Sequence, residues 1–107
     1  MKNRSIDLKS KYVCMIKDIL KVHLGKSGIK VYIFGSRVQG MTKETSDIDL
    51  ALKSADGSKL DYFDVICKLK NVFMESDIKY SVDILDLNNI SDNFRKCISD
   101  DLVEVKY

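Results

Sequence analysis

Residues 29–53 read IKVYIFGSRVQGMTKETSDIDLALK, and this stretch decides the fold. Its first part, residues 29–34, is a short apolar run rich in β-branched and aromatic side chains, which predicts a buried strand. Residues 47–53 alternate strictly, which predicts a second strand whose carboxylates Asp47 and Asp49 share one face. Only a short loop or helical turn separates the two strands. We therefore expect them to pair antiparallel.

The flanking sequence adds helices and further strands. Apolar spacing predicts a helix over 6–24 capped by Ser5 and a helix over 59–75 with a Ser58/Asp61 capping box. It further predicts a strand over 78–86, a helix after Asn88, and a closing strand or a tail over 103–107. The order is αββαβα with a final β. This predicts an α/β (α+β) fold in which helices pack on a small mixed sheet. The tyrosines and phenylalanines are assigned to the core, although one aromatic ring could stack on a nucleobase.

Composition limits the class of protein. With 107 residues and 45% apolar content, residues 1–107 are expected to form a single domain. A net charge of +2 without a basic run does not indicate direct nucleic-acid binding. No apolar run approaches the roughly 18 residues of a membrane span, and no signal peptide is recognisable, so a cytoplasmic protein is expected. The three cysteines lack metal-site spacing and are expected to be buried or half-buried free thiols.

Three aspartates form a candidate metal site. Asp47 and Asp49 project side by side, and their mutual repulsion would be relieved by a divalent cation. Oxygen ligands on a strand suit Mg²⁺, with Mn²⁺ as an alternative. If the strand carrying Asp83 is a neighbour, three carboxylates converge and can hold two cations for displacement at phosphorus. Asp86 competes with Asp83, but it would point the other way on a regular strand and is expected to cap or turn the chain.

The end of the first strand supplies a candidate phosphate site. Gly35 allows a phosphate to approach the backbone closely. Backbone N–H groups and the hydroxyl of Ser36 can donate to the phosphate oxygens of a nucleoside triphosphate. Arg37 follows directly, and both a bidentate phosphate contact and a purely structural role remain open for it. Gly40 is expected to keep the loop that follows flexible or tightly turned.

At these residues the chain resembles a known family. The segment GSRVQGMTKETSDIDLAL, residues 35–52, has Gly-Ser, ten residues and then Asp-x-Asp, and VDILDL follows at 82–87. This pattern resembles the polymerase-β-like nucleotidyltransferase superfamily, and within it the minimal nucleotidyltransferases. The resemblance implies that family's fold. It also implies that Asp47 and Asp49 bind both metals, that Asp83 is the third carboxylate, and that Gly35 and Ser36 hold the triphosphate.

The resemblance also implies an activity and a partner. A hydroxyl would attack the α-phosphorus of a nucleoside triphosphate, ATP being the expected substrate. The implied acceptor is a tyrosine of a HEPN-domain ribonuclease toxin, which makes the chain a type VII-like antitoxin in a hetero-oligomer. Two alternatives stay open. The chain could neutralise its partner by binding alone, or it could be a subunit that modifies small molecules such as antibiotics.

Overall fold

A computed structural model of the chain describes residues 6, 8–39 and 47–107, with the backbone alone described for Ser36 and Gln39. Short helices and strands alternate along it. They are α1 (Ser10–Leu24), β1 (Lys30–Phe34), α2 (Ser36–Gln39), β2 (Ile48–Lys53), a π-helical turn (Tyr62–Cys67) that continues into α3 (Lys68–Met74), β3 (Val82–Asp86), a 3-10 turn (Leu87–Asn89), α4 (Asp92–Ile98), a second 3-10 turn (Ser99–Asp101) and β4 (Val103–Val105).

The strands form one mixed sheet in the order β3-β2-β1-β4. β1 is antiparallel to both of its neighbours, β2 and β4. β2 and β3 are parallel, and the helical segment between them provides the crossover that a parallel pair requires. The mixed sheet, the antiparallel pairing of β1 with β2 and the closing strand are therefore confirmed.

One face of the sheet carries the main core. Alternating side chains of β1 and β2, such as Ile33 and Leu50, are fully buried there. They pack against apolar residues of α1 and α3, including Ile16, Leu20 and Phe73. Because the side chains of a strand alternate between faces, this packing turns the other set, which includes Asp49, towards the opposite face.

The opposite face is only partly covered. Its smaller apolar cluster consists of Phe34 on β1, Ala51 on β2, and Leu87 and Ile98 from the segment that contains α4. This cluster lies beside the aspartates of β2 and β3 and leaves part of that face open.

Two helix starts differ from the predictions. The first helix begins at Ser10 instead of residue 6, because Ile6 and Leu8 reach the core from outside the helix. The predicted cap Ser5 lies outside the described residues. The Ser58 capping box is wrong: Ser58 donates from its backbone N–H (3.0 Å) and its hydroxyl (2.6 Å) to Asp56.

The second helix begins instead after Asp61, whose carboxylate accepts a 2.8 Å hydrogen bond from the backbone N–H of Asp64. Its first turn is π-helical, and only residues 68–74 are α-helical. Helical periodicity in the sequence cannot separate the two forms, since a single wide turn hardly shifts the apolar pattern.

The third strand and the last α-helix also differ from the predictions in their boundaries. β3 begins at Val82 and not at residue 78, because Tyr80 turns its ring towards Tyr12 with the centroids 5.3 Å apart. Ser91 caps α4 by accepting from the N–H of Phe94 at 3.1 Å. The predicted cap Asn88 instead donates its side-chain amide to Ser54 at 3.0 Å.

Some predicted burial is also wrong. The three cysteines are free thiols as expected, but Cys14 and Cys97 are exposed. Among the aromatic residues Tyr62, Phe63 and Phe94 are exposed and do not belong to the core. Within residues 8–39 and 47–107, none of the helices is long and apolar enough to cross a membrane.

Candidate active site

The turn after β1 is formed around a glycine in the left-handed region. Gly35 has a φ of +80°, and its carbonyl accepts a 3.0 Å hydrogen bond from the N–H of Val38, which closes the first turn of α2. A Cβ atom added to Gly35 would lie 2.6 Å from Oδ2 of Asp49. The turn therefore packs directly against this carboxylate. The backbone angle favours glycine, and a side chain at residue 35 would displace the carboxylate of Asp49.

The register of the sheet brings two aspartates together. Asp49 on β2 is paired with Phe34 of β1 on one side and with Asp83 of β3 on the other. Residues paired across neighbouring strands share a face, and adjacent strands lie about 4.8 Å apart. Asp47 is exposed and directly precedes β2, two residues before Asp49. The structure thus gathers three carboxylates at the start of β2.

The carboxylate of Asp49 lies among like charges. Burial raises the pKa of Asp49 above its usual 3.8, and the negative charges of Asp83 and Asp47 raise the pKa further. Among the residues that the structure describes, however, no group of three or more His, Cys, Asp or Glu side chains is arranged to hold a metal ion as it stands. The donor chemistry still fits a hard divalent cation, because a cation would offset the repulsion between these carboxylates.

This repulsion leads to a prediction about stability. Asp49 keeps its proton more strongly in the folded chain, so stability falls as pH rises from 3.8 through the raised pKa. Asp49→Asn removes the charge and is expected to raise the melting temperature at pH 7 in EDTA. Below pH 3.8 the difference from wild type should vanish. Calorimetric scans at several pH values measure this, with the exposed Asp18→Asn as a control. A large loss of stability in EDTA would contradict it.

A small cavity lies next to the carboxylates. Its volume is about 210 Å³, and it is lined by Phe34, Asp49, Leu50, Asp83, Ile84, Leu85 and Phe94. Helical spacing predicts that Phe94 on α4 lies in the core, because it stands four residues before Ile98. In the structure Ile98 is buried but Phe94 is exposed. Helical spacing does not indicate that this end of α4 extends past the part of the sheet that the smaller apolar cluster covers.

Arg37 lies in a packed environment. The residue is only 4% exposed, and its guanidinium carbon lies 4.2 Å from the centroid of the Tyr80 ring. The same ring meets Tyr12 of α1 edge to face. These contacts favour the structural role that the sequence left open for Arg37, and its contact to a phosphate stays a prediction.

Other residues of the proposed phosphate loop are described only in part. Ser36 begins α2, and its side chain lies outside the described part of the chain. Gly40 and residues 41–46 lie outside it as well. The phosphate contacts expected for Gly35 and Ser36 therefore stay predictions.

Asp86 has the structural role expected for it. Its buried carboxylate accepts hydrogen bonds from the backbone N–H groups of Leu60 (2.7 Å) and Asn88 (2.9 Å). It thereby ties the segment before the π-helical turn to the end of β3. Asp83, three residues earlier, is exposed beside Asp49, so the structure separates the two candidates.

Alanine variants of Asp86 and Asp83 distinguish the structural carboxylate from the carboxylate of the site. Asp86→Ala leaves two backbone donors without their acceptor and is expected to lower the free energy of unfolding by about 2–4 kcal/mol. Asp83→Ala removes a repelling charge and is expected to leave stability unchanged or slightly higher without metal. Urea unfolding of both variants in EDTA measures the difference. Equal stability of the two variants would contradict the structural role of Asp86.

Comparison with known proteins agrees with this geometry. Residues 15–104 match the family described as polymerase beta, nucleotidyltransferase. A probable protein adenylyltransferase, MntA of Haemophilus influenzae, is 39% identical over 93 residues, which cover 87% of this chain and 77% of that protein.

Two solved structures share the fold. A toxin–antitoxin crystal structure with AMP-PNP has a TM-score of 0.70 at 24% identity, covering 88% of this chain and 72% of that chain. A crystal structure of a mutant MntA–HpeT toxin–antitoxin has a TM-score of 0.66 at 20% identity, covering 88% and 71%. At these identities the likeness concerns the fold alone.

Proposed function

Since the chain belongs to the polymerase beta nucleotidyltransferase family, we propose that it transfers AMP from ATP to a hydroxyl group of a partner protein. The chain is thus a nucleotidyltransferase, and a nucleotide substrate and a divalent metal follow from the family in general. The observation that carries the proposal is the pairing of Asp49 with Asp83 on one face of the sheet, beside the turn at Gly35. We assign the function to residues 1–107 as a single domain.

Each site residue has a part in this proposal. Gly35 and Ser36 bind the triphosphate at the start of α2, because the N–H groups in the first turn of a helix attract anions. Asp47, Asp49 and Asp83 hold Mg²⁺, two ions in the expected arrangement, with Mn²⁺ as an alternative. When bound, the metal neutralises charge that develops on the phosphates.

The carboxylate of Asp83 takes the proton in the reaction. The acceptor oxygen forms a bond to the α-phosphorus while the bond from that phosphorus to the bridging oxygen of the β-phosphate breaks. Pyrophosphate leaves, and the acceptor proton passes to Asp83, which is exposed and can release it to water. The sheet contributes mainly position, because phosphoryl-type transfer needs alignment of the reactants more than covalent help.

We further propose that the acceptor is a tyrosine of a HEPN-domain toxin in the same cytoplasm and that the chain acts as its antitoxin. Support comes from the relative that is named a probable protein adenylyltransferase and from the shared fold of toxin–antitoxin proteins, one of them with AMP-PNP. A stable complex of the two proteins is expected.

Intact-mass spectrometry tests the proposed function. The chain is incubated with ATP, Mg²⁺ and a candidate HEPN-domain partner protein, and the same mixture with EDTA serves as control. A gain of one or more AMP units on the partner, absent with EDTA, is expected. An unchanged partner mass, while the toxin is still neutralised, would favour inhibition by binding alone. AMP found only on added small alcohols would favour a small-molecule nucleotidyltransferase.

A further inference from the structure

Phe94 is an exposed aromatic residue held rigidly beside the carboxylates. Its side chain is 42% exposed although it lies in the first turn of a capped helix. Arg95, the next residue, donates from Nε (3.2 Å) and Nη2 (2.7 Å) to the carbonyl of Leu87 and fixes this turn to the end of β3. Ile98, one turn later on α4, is buried against the sheet, where it packs with Phe34 and Ala51. The exposure of Phe94 therefore does not result from fraying of the helix.

The cavity that Phe94 lines combines acidic and apolar residues. Two of its walls are the carboxylate-bearing residues Asp49 and Asp83, and three others are the apolar side chains of Phe34, Leu85 and Phe94. Its volume of about 210 Å³ is below the roughly 300–1,000 Å³ of pockets that enclose whole ligands. Such a space accommodates one ring beside the carboxylates and does not enclose a complete nucleotide.

The position of the cavity favours the acceptor over the nucleobase as the group that occupies it. Its lining includes Asp83, which takes the acceptor proton in the proposed function, and none of the residues of the turn 35–39 whose side chains the structure describes. A ring seated between Phe34 and Phe94 would place a hydroxyl at its edge close to the carboxylates. A serine or threonine side chain has no ring with which to contact Phe34 and Phe94.

We propose that Phe94, together with Phe34 and Leu85, binds the aromatic ring of the acceptor and makes the site selective for tyrosine over aliphatic hydroxyls. This inference rests on the proposed function and deepens it. The phenolic oxygen forms the bond to the α-phosphorus, its proton passes to Asp83, and pyrophosphate leaves with the electron pair of the broken bond. Aromatic pairs favour edge-to-face or offset contacts, and Phe34 and Phe94 in the cavity lining can offer such contacts to an acceptor ring.

Competition between two small acceptors tests the proposal. N-acetyltyrosinamide and N-acetylserinamide are supplied at equal concentration with ATP and Mg²⁺, and their AMP adducts are quantified by mass spectrometry. Wild type is expected to favour the tyrosine compound by about tenfold or more. In Phe94→Ala this preference should fall to within about threefold, through a higher KM for the tyrosine compound, while the KM for ATP changes by less than about twofold.

Two further variants separate a ring contact from a general loss of structure. Phe94→Leu keeps apolar bulk without a ring and should lose most of the preference while its melting temperature stays close to that of wild type. Phe63→Ala removes an aromatic residue that is 78% exposed and absent from the cavity lining, and it should leave the preference unchanged.

The outcomes distinguish this proposal from the proposed function. If wild type releases pyrophosphate from ATP but modifies both acceptors equally, or neither, the role of Phe94 is overturned while nucleotidyl transfer stands. A rise in the KM for ATP in Phe94→Ala, with the tyrosine preference retained, would assign the ring to the nucleobase and overturn the proposal. If wild type neither releases pyrophosphate nor transfers AMP to any acceptor, the proposed function fails and this inference with it.

Discussion

Replacing Asp49 with asparagine is expected to lower AMP transfer by about a thousandfold or more, the largest effect of any single change at the site. Asp49 is the central member of the carboxylate cluster, since it lies between the turn at Gly35 and its register partner Asp83. An amide is similar in shape to the carboxylate but cannot carry the charge that holds a cation. The fold should therefore remain while the metal-dependent step is lost.

The measurement combines activity with stability. Initial rates of AMP transfer to the partner are compared for wild type, Asp49→Asn and the exposed control Asp18→Asn at saturating ATP and Mg²⁺. The control should keep the rate of wild type. In EDTA, Asp49→Asn should be more stable than wild type, whereas added Mg²⁺ with a nucleotide should stabilise wild type and the Asp18→Asn control but not Asp49→Asn.

The residual activity of Asp49→Asn decides the interpretation. Transfer within about tenfold of wild type would contradict the assignment of Asp49 as a metal ligand. A variant that is both inactive and strongly destabilised in EDTA would indicate a structural carboxylate. Because the raised pKa of Asp49 comes from burial and from like charges, removing its charge should reduce electrostatic repulsion in the folded state.

The second large effect is expected for Gly35→Ala, which should destabilise the fold by about 2–3 kcal/mol and reduce AMP transfer by about a hundredfold. Two causes act together. At a φ of +80° an alanine is strained, and its Cβ would lie 2.6 Å from Oδ2 of Asp49. Either the turn that leads into α2 or the carboxylate must move.

The chain offers a matched control for this prediction. Gly57 has the same φ of +80°, but a Cβ added there would meet no atom within 4 Å. Gly57→Ala should therefore report backbone strain alone, about 1 kcal/mol, with activity retained. The additional loss of stability in Gly35→Ala, relative to Gly57→Ala, measures the steric overlap with Asp49.

A double variant isolates that collision. Asp49→Ala removes the oxygen that a Cβ of residue 35 would approach, so it should recover part of the stability that Gly35→Ala loses. Urea unfolding of the two single variants and the double variant in EDTA gives the coupling energy. Equal destabilisation by Gly35→Ala and Gly57→Ala would show that contact with Asp49 contributes nothing.

Much of the fold could be predicted because local patterns agree with the tertiary structure. The alternation in residues 47–53 predicts both the strand and the shared face of Asp47 and Asp49, since side-chain direction along a strand follows from backbone geometry. Helix starts were less predictable. Several side chains near each start compete as caps, and the choice of Asp61 over Ser58 depends on local hydrogen bonds.

Burial of single aromatic residues was the least predictable feature. Phe73 and Phe94 both fall on apolar helical spacing, yet Phe73 is 2% exposed and Phe94 is 42% exposed. The first packs against a fully covered face of the sheet, and the second extends over the open face. Periodicity reports which side of a helix is apolar, but it carries no information about how far the opposing surface extends.

By itself, the sequence determined the strands, the glycine turn after the first strand and the aspartates that open the second, because backbone sterics and period-2 alternation act over neighbouring residues. Only the tertiary structure decided that Asp83 is the register partner of Asp49, that Asp49 lies against Gly35, that Arg37 packs on Tyr80 and that Phe94 borders the carboxylates. These contacts join residues far apart in the chain. Their selection depends on strand order and register, which are set by burial of the whole sheet and not by any local pattern.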